Sequence, residues 1–251
     1  MSASTGPAHA APSLARVSGI VLAGGLSRRF EAAAAGTSFG SDKLAAPYGD
    51  GTLLAAAVGS LAAVVDEIVM AIGPEGDEPA IPAGLPVPVR FVRDAEKGGG
   101  PLAALPRALD AAAAPLVLVV GGDMPRLPPP MARLLLDALA GPGPARPGLA
   151  FGGDRGRALA AAFLVDGSFR PLPLGLRREQ AFATSVRLVA GGERRLRVLL
   201  ASLAATAIPE DAWLAVDPGG DAFRDVDVPE DLADLGDHSA DSGPEATDDR
   251  S

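Results

Sequence analysis

Residues 20–29 read Ile-Val-Leu-Ala-Gly-Gly-Leu-Ser-Arg-Arg. A short apolar run, reaching back to Val17, breaks at two glycines, and a hydroxyl and two guanidinium groups follow at once. Such a run bounded by glycine reads as a buried strand. Gly24 and Gly25 let the backbone turn and approach a ligand with no Cβ in the way. Amides exposed in that turn, with Arg28 and Arg29 behind them, form a trap for phosphate.

Outward from this stretch, apolar runs alternate with Ala-rich helical runs. Val17–Leu22 is predicted as a strand, residues 51–65 as a helix, and Ile68–Ile72 and Val89–Val92 as strands. A helix is predicted over Pro101–Ala114, with Pro101 at its favoured first position and Pro106 kinking it. Leu116–Val120 follows as a strand and Met131–Leu139 as a helix. Strands at Leu149–Phe151 and Ala158–Val165 then precede a single helix over Arg187–Leu203, a short strand at Ala222–Val226, and a last helix opened by Pro229-Glu230-Asp231-Leu232. Alternation with nearly all-apolar strands is the pattern of an α/β fold whose mostly parallel sheet is covered on both faces.

The 251 residues suit one domain, expected over 17–235. Residues 1–16 and the acidic residues 236–251 are expected to be disordered tails. Absence of cysteine excludes a disulfide framework, a thiol nucleophile and a thiolate metal site. No leader-like segment opens the chain and no apolar stretch is long enough to span a bilayer, so the expectation is a cytoplasmic protein with no membrane partner. A formal net charge of −9 argues against nucleic acid as a partner. The 22 Lys and Arg residues include only two lysines, Lys43 and Lys97, and both fall within segments suspected of chemistry. A lysine is a compact point charge on a thin stem, where arginine is a planar fork.

Four segments carry that suspicion. In the loop from Ala23 through Lys43, Arg28 and Lys43 are placed to draw charge from a triphosphate; a solvated loop is the bland alternative. The loop lacks both Gly-x-x-x-x-Gly-Lys-Ser/Thr and Gly-x-Gly-x-x-Gly. In Gly121-Gly122-Asp123-Met124-Pro125, the carboxylate of Asp123 stands at a strand's carboxyl end, where α/β sheets gather ligands. Mg²⁺ takes one or two carboxylates plus phosphate oxygens, so Asp123 suits a metal, and turn capping is its structural alternative. Asp94 ends a strand just before Gly98-Gly99-Gly100-Pro101, whose amides could face a base or a phosphate. Asp225 and Asp227 alternate on one face of an extended segment and could reach a metal or a substrate donor; Asp227 could equally cap a helix.

Taken together these residues resemble the molybdenum cofactor guanylyltransferases of the nucleotidyltransferase superfamily. The matches are Leu22 to Arg29, Asp42-Lys43, Gly100 to Ala103, Gly122 to Pro125 and Asp225 to Asp231, in order across most of the chain. The resemblance implies a three-layer, Rossmann-like α/β/α fold, GTP and a molybdopterin-type small molecule as substrates, Mg²⁺ as cofactor, and transient contact with molybdoenzymes or their chaperones. It implies a nucleotide site of Leu22, Ala23, Gly24, Gly25, Ser27, Lys43, Asp94, Gly100, Pro101 and Asp123, with Asp94 reading the guanosine. Arg28, Lys43 and Asp123 would be catalytic, and Asp123 and Asp227 would hold the metal. Arg157, Arg195 and Asp225 would meet the second substrate.

The chain also departs from that family. It inserts Phe30 to Ser41 between Arg29 and Asp42, carries Asp225 and Asp227 where many members have Asn, and has Ala71-Ile72-Gly73 where an Asn is usual. Carboxylates in the closing motif repel an anionic pterin phosphate unless they bind metal. Two alternatives follow: a cytidylyl- or sugar-phosphate nucleotidyltransferase, and a non-catalytic nucleotide-binding protein.

Overall fold

The computed structural model describes residues 16–25, 28–34, 42–96, 98–141, 143 and 156–232, with the side chains of Arg28 and Arg29 outside that set. The strand expected at Leu149–Phe151, Lys97, and the expected tails apart from Arg16 fall outside it too. The element order begins β1 (Val17–Leu22), α1 (Arg28–Ala34), a 3₁₀ turn (Lys43–Ala45), and a small hairpin of β2 (Pro47–Tyr48) and β3 (Gly51–Thr52). Next come α2 (Leu53–Ala62), β4 (Glu67–Ile72), β5 (Val89–Arg93), α3 (Pro101–Ala111), β6 (Leu116–Gly121) and α4 (Pro129–Ala140). The second half adds β7 (Ala160–Val165), β8 (Ser168–Arg177), α5 (Arg178–Ala190), α6 (Leu196–Ser202), β9 (Thr206–Ile208), α7 (Glu210–Leu214) and a 3₁₀ turn (Asp221–Phe223).

Seven strands form one sheet in the order β5-β4-β1-β6-β8-β7-β9. β1 pairs parallel with β4 and β6, β4 with β5, and β7 with β9, whereas β8 runs antiparallel to both of its neighbours. Alternate strand residues therefore serve two cores. Val17, Val21, Met70, Leu118 and Phe163 pack under α2 and α4 on one face. Ile20, Val69, Val119, Ala162 and Leu174 pack under α3, α5 and α6 on the other. The protein is a three-layer α/β/α fold with a mostly parallel sheet. A third, smaller cluster joins Phe30 and Ala34 of α1 to Ala46, Leu53, Val226 and Leu232.

Several expected boundaries move, each for a local reason. α2 begins at Leu53, where the Thr52 hydroxyl accepts from the Ala55 amide at 3.1 Å. α3 runs through Pro106 but stops at Ala111, three residues early. The Ala113 and Ala114 amides leave the helix and donate to Glu67 Oε1 at 2.6 Å and Ser18 Oγ at 3.0 Å. The helix expected over Arg187–Leu203 is two helices, because Gly192 turns left-handed at φ 85° and the Glu193 amide bonds back to the Leu188 carbonyl at 2.9 Å. The strand expected at Ala222–Val226 is a 3₁₀ turn followed by irregular chain. Asp217 curls it by accepting from the amides of Asp221 and Ala222 at 3.1 and 2.9 Å.

β8 has no counterpart among the expected strands, since Pro171 and Pro173 argue against an interior strand. The sheet tolerates them because β6 pairs with β8 only from Leu174 to Arg177, and the β7–β8 register shifts between Ala162 and Leu164. Both prolines thus sit where no ladder amide is required.

Candidate active site

Four strand ends, those of β1, β4, β5 and β6, are tied together at their carboxyl termini. The Ala23 amide donates to the Ala71 carbonyl at 2.8 Å, Gly122 to Leu22 at 2.9 Å and Asp94 to Ile72 at 2.9 Å. These bonds bring the loops after β1, β5 and β6 to one edge of the sheet, around a cleft of about 270 Å³. Leu22, Gly24, Gly25 and Asp94 line one side of it; Gly100, Pro101, Ala104 and Asp123 are also in its wall.

Lys43 reaches this edge from the 3₁₀ turn that Asp42 caps, Asp42 Oδ1 accepting from the Leu44 amide at 3.0 Å. Its side chain is 10% exposed, and Nζ donates to Asp123 Oδ2 at 2.6 Å. Asp227 Oδ1 lies 3.8 Å from the same ammonium. One buried cation therefore stands between two carboxylates, of which Asp123 is in the cleft wall. Among the described residues no group of three His, Cys, Asp or Glu could hold a metal. A hard ion that takes one or two carboxylates and completes its shell with phosphate oxygens and water fits Asp123 with Asp227 beside it.

Asp94 sits differently. Burial pushes its carboxyl up to about 6, with the Arg107 guanidinium pulling weakly the other way. Its Oδ1 is buried with no hydrogen-bond partner among the described residues. A Cβ on Gly24 would come within 2.6 Å of Oδ2, so only glycine lets the first loop pass this close. An acceptor held unpaired in a cleft wall is poised for donors on a ligand.

Gly100 has φ 84° and abuts the chain after α5, where the Arg194 carbonyl accepts from the Leu102 amide at 3.3 Å. That contact fixes the amino end of α3 beside the cleft.

The residues expected to meet a second substrate divide. Asp225 is near the site: Arg170 Nη2 donates to its Oδ1 at 3.0 Å and to the Phe223 carbonyl at 2.6 Å. Arg195 stands on the loop behind Gly100, but Glu193 holds its guanidinium through two bonds of 2.9 Å, and those bonds lower Glu193 to about 2. Arg157 is not brought to the cleft. It precedes β7, whose first residue Ala160 pairs with Leu176 beside the start of β6, at the opposite edge of the sheet. Ser27 and the side chain of Arg28 lie outside the described residues.

Two arrangements escaped the reading of the sequence. Arg170 lies in β8, which the prolines disguise. Arg126 joins the hairpin to the closing segment, donating to Tyr48 Oη at 3.1 Å and to Asp221 Oδ2 at 2.8 Å. No local pattern marks either one.

Residues 19–207 match the family described as MobA-like NTP transferase domain. The chain is 32% identical over 216 residues to a "Probable molybdenum cofactor guanylyltransferase" of Chloroflexus aggregans, covering 86% of this chain and 91% of that protein. It is 36% identical over 207 residues to a protein of the same name from Mycobacterium avium, covering 80% and 89%. Among solved structures, the molybdopterin-guanine dinucleotide biosynthesis protein A of Archaeoglobus fulgidus superposes with TM-score 0.60 at 18% identity, covering 89% and 98% of the two chains. A 4-diphosphocytidyl-2C-methyl-D-erythritol synthase of Anaerococcus prevotii shares the fold at TM-score 0.58 and 13% identity, covering 91% and 100%. The strand-end cleft, the buried lysine paired with the acid after β6 and the match across three-quarters of its length agree: this chain belongs to the MobA-like nucleotidyltransferase family.

Proposed function

We propose that the protein transfers the GMP moiety of GTP to the phosphate of a molybdopterin-type cofactor and releases pyrophosphate. The observation that carries this reading is Lys43 held 2.6 Å from Asp123, which lines a cleft with Gly24, Gly25 and Asp94. An oxygen of the acceptor phosphate attacks the α-phosphorus of GTP. The bond from that phosphorus to the bridging oxygen breaks, and the electron pair leaves with pyrophosphate.

The chain supplies no covalent nucleophile in this scheme; it positions two anions and offsets their repulsion. Gly24 and Gly25 offer amides to the triphosphate, and Lys43 carries its charge to the same oxygens. Asp94 accepts from the guanine edge, and the amino end of α3 at Gly100-Pro101 closes the base side. Asp123, with Asp227 alongside, would hold Mg²⁺, which would supply charge neutralisation for the triphosphate.

Pyrophosphate release, measured with GTP, CTP and ATP in the presence of molybdopterin, tests the reading. Release with GTP and molybdopterin together is expected. Preference for CTP transfers the protein to the cytidylyl alternative, which the Anaerococcus prevotii structure shows to share this fold. Binding of GTP without release, with molybdopterin supplied, makes it a binding protein.

A further inference from the structure

We propose that Arg170 is the positioning residue of the acceptor side of the cleft, neutralising Asp225 and anchoring the chain at Phe223. With this anchor, residues 223–227 lie across the strand ends with two carboxylates where an anionic acceptor must approach. The proposal deepens the reading above and rests on it for the acceptor's phosphate.

Two observations place Arg170 there. Both of its bonds leave from Nη2 and both end on the closing segment, at the Phe223 carbonyl and Asp225 Oδ1. The segment is tied at its other end, where Val226, fully buried against Phe30 and Leu53, donates its amide to the Asp123 carbonyl at 3.2 Å. Asp225 and Asp227 therefore flank a fixed residue, one facing Arg170 at 3.0 Å and the other Lys43 at 3.8 Å.

The chemistry follows from charge. Asp225 and Asp227 put two further carboxylates on the segment bonded to Asp123, and Lys43 is already shared between Asp123 and Asp227. Without Arg170, Asp225 adds an uncompensated charge to that group and to the incoming phosphate. Repulsion then lifts the segment away from Asp123. Asp225 requires the cation on β8.

The test compares Arg170→Gln, Asp225→Asn and the double variant in the full chain. Hydrogen exchange of the Val226 amide reports the position of the segment, and KM against kcat reports the acceptor site. Arg170→Gln is expected to speed Val226 exchange about tenfold, and to raise KM for molybdopterin about tenfold, with smaller changes in KM for GTP and kcat. Adding Asp225→Asn is expected to return both readouts to within about twofold of wild type, because charge rather than the Phe223 bond is at issue. Unchanged exchange in Arg170→Gln overturns the proposal, and so does a double variant as impaired as Arg170→Gln. If Arg170→Gln does not fold, Arg170→Ala with and without Asp225→Asn is read by the same criteria. Absence of wild-type turnover with GTP and molybdopterin sinks the proposed function alone, since the exchange result still decides the role of Arg170.

Discussion

Lys43 is the residue on which the site turns. An ammonium only 10% exposed is costly unless paired, and Asp123 at 2.6 Å with Asp227 at 3.8 Å provides the pairing. Asp123→Ala should lower turnover at least about a hundredfold, the scale of a lost electrostatic contact in a transition state. Asp227 remains beside Lys43 in that variant, so circular dichroism should show the fold retained; full turnover with Mg²⁺ present would refute the role given to Asp123. Asp94 makes the opposite kind of prediction. A carboxyl raised from 3.8 to about 6 keeps its proton in the fold where the unfolded chain has lost it, so its contribution to stability declines as pH rises through that window. Asp94→Asn should therefore raise Tm relative to wild type at pH 7.5, and the gain should disappear by about pH 4. GTP affinity should fall in the same variant. A gain in Tm that ignores pH would show that ionisation of Asp94 is not the cause.

At the scale of elements, the site is made by ends rather than by middles. β1, β5 and β6 deliver Gly24, Asp94 and Asp123 to one edge because their loops are hydrogen-bonded to neighbouring strands. Gly24→Ala drives a Cβ to within 2.6 Å of Asp94 Oδ2, and the Asp94 carboxylate or the loop must shift to relieve it. Calorimetry should find GTP binding weakened at least about tenfold, with Tm little changed, since the loop rather than the core absorbs the strain. Gly100→Ala meets a different obstacle: φ 84° disfavours any side chain, and the new Cβ would lie 3.3 Å from the Arg194 carbonyl. Denaturant unfolding should show a loss of about 1–3 kcal/mol. A loss near zero would mean that the α3 end relaxes without its glycine. β8 shows how an element escapes a reading of sequence, because its prolines are harmless only at places that pairing with β6 and β7 leaves unbonded.

At the scale of the whole molecule, the two faces of the sheet are closed by separate cores, while the small cluster of Phe30, Leu53, Val226 and Leu232 couples the first loop's helix to the closing segment. A ligand that binds only the folded chain must stabilise it by mass action. GTP with Mg²⁺ at a hundred times its Kd should add about 2.7 kcal/mol, and CTP at the same concentration less; equal shifts from both would remove the argument for guanine. Much of this architecture was legible in the chain itself. Residues 17–25, 42–43, 100–101 and 122–125 specify buried strands, a ligand-facing turn and a strand-end acid through local chemistry alone: hydrophobic runs, glycines and the placement of single charges. The Arg170–Asp225 pair, the Arg126 tie between the hairpin and Asp221, the burial of the Asp94 oxygen without a partner among the described residues, and the distance of Arg157 from the cleft were decided only by the tertiary structure. Each depends on which strand lies beside which and in what direction, and residues far apart in the chain carry no local signal of that.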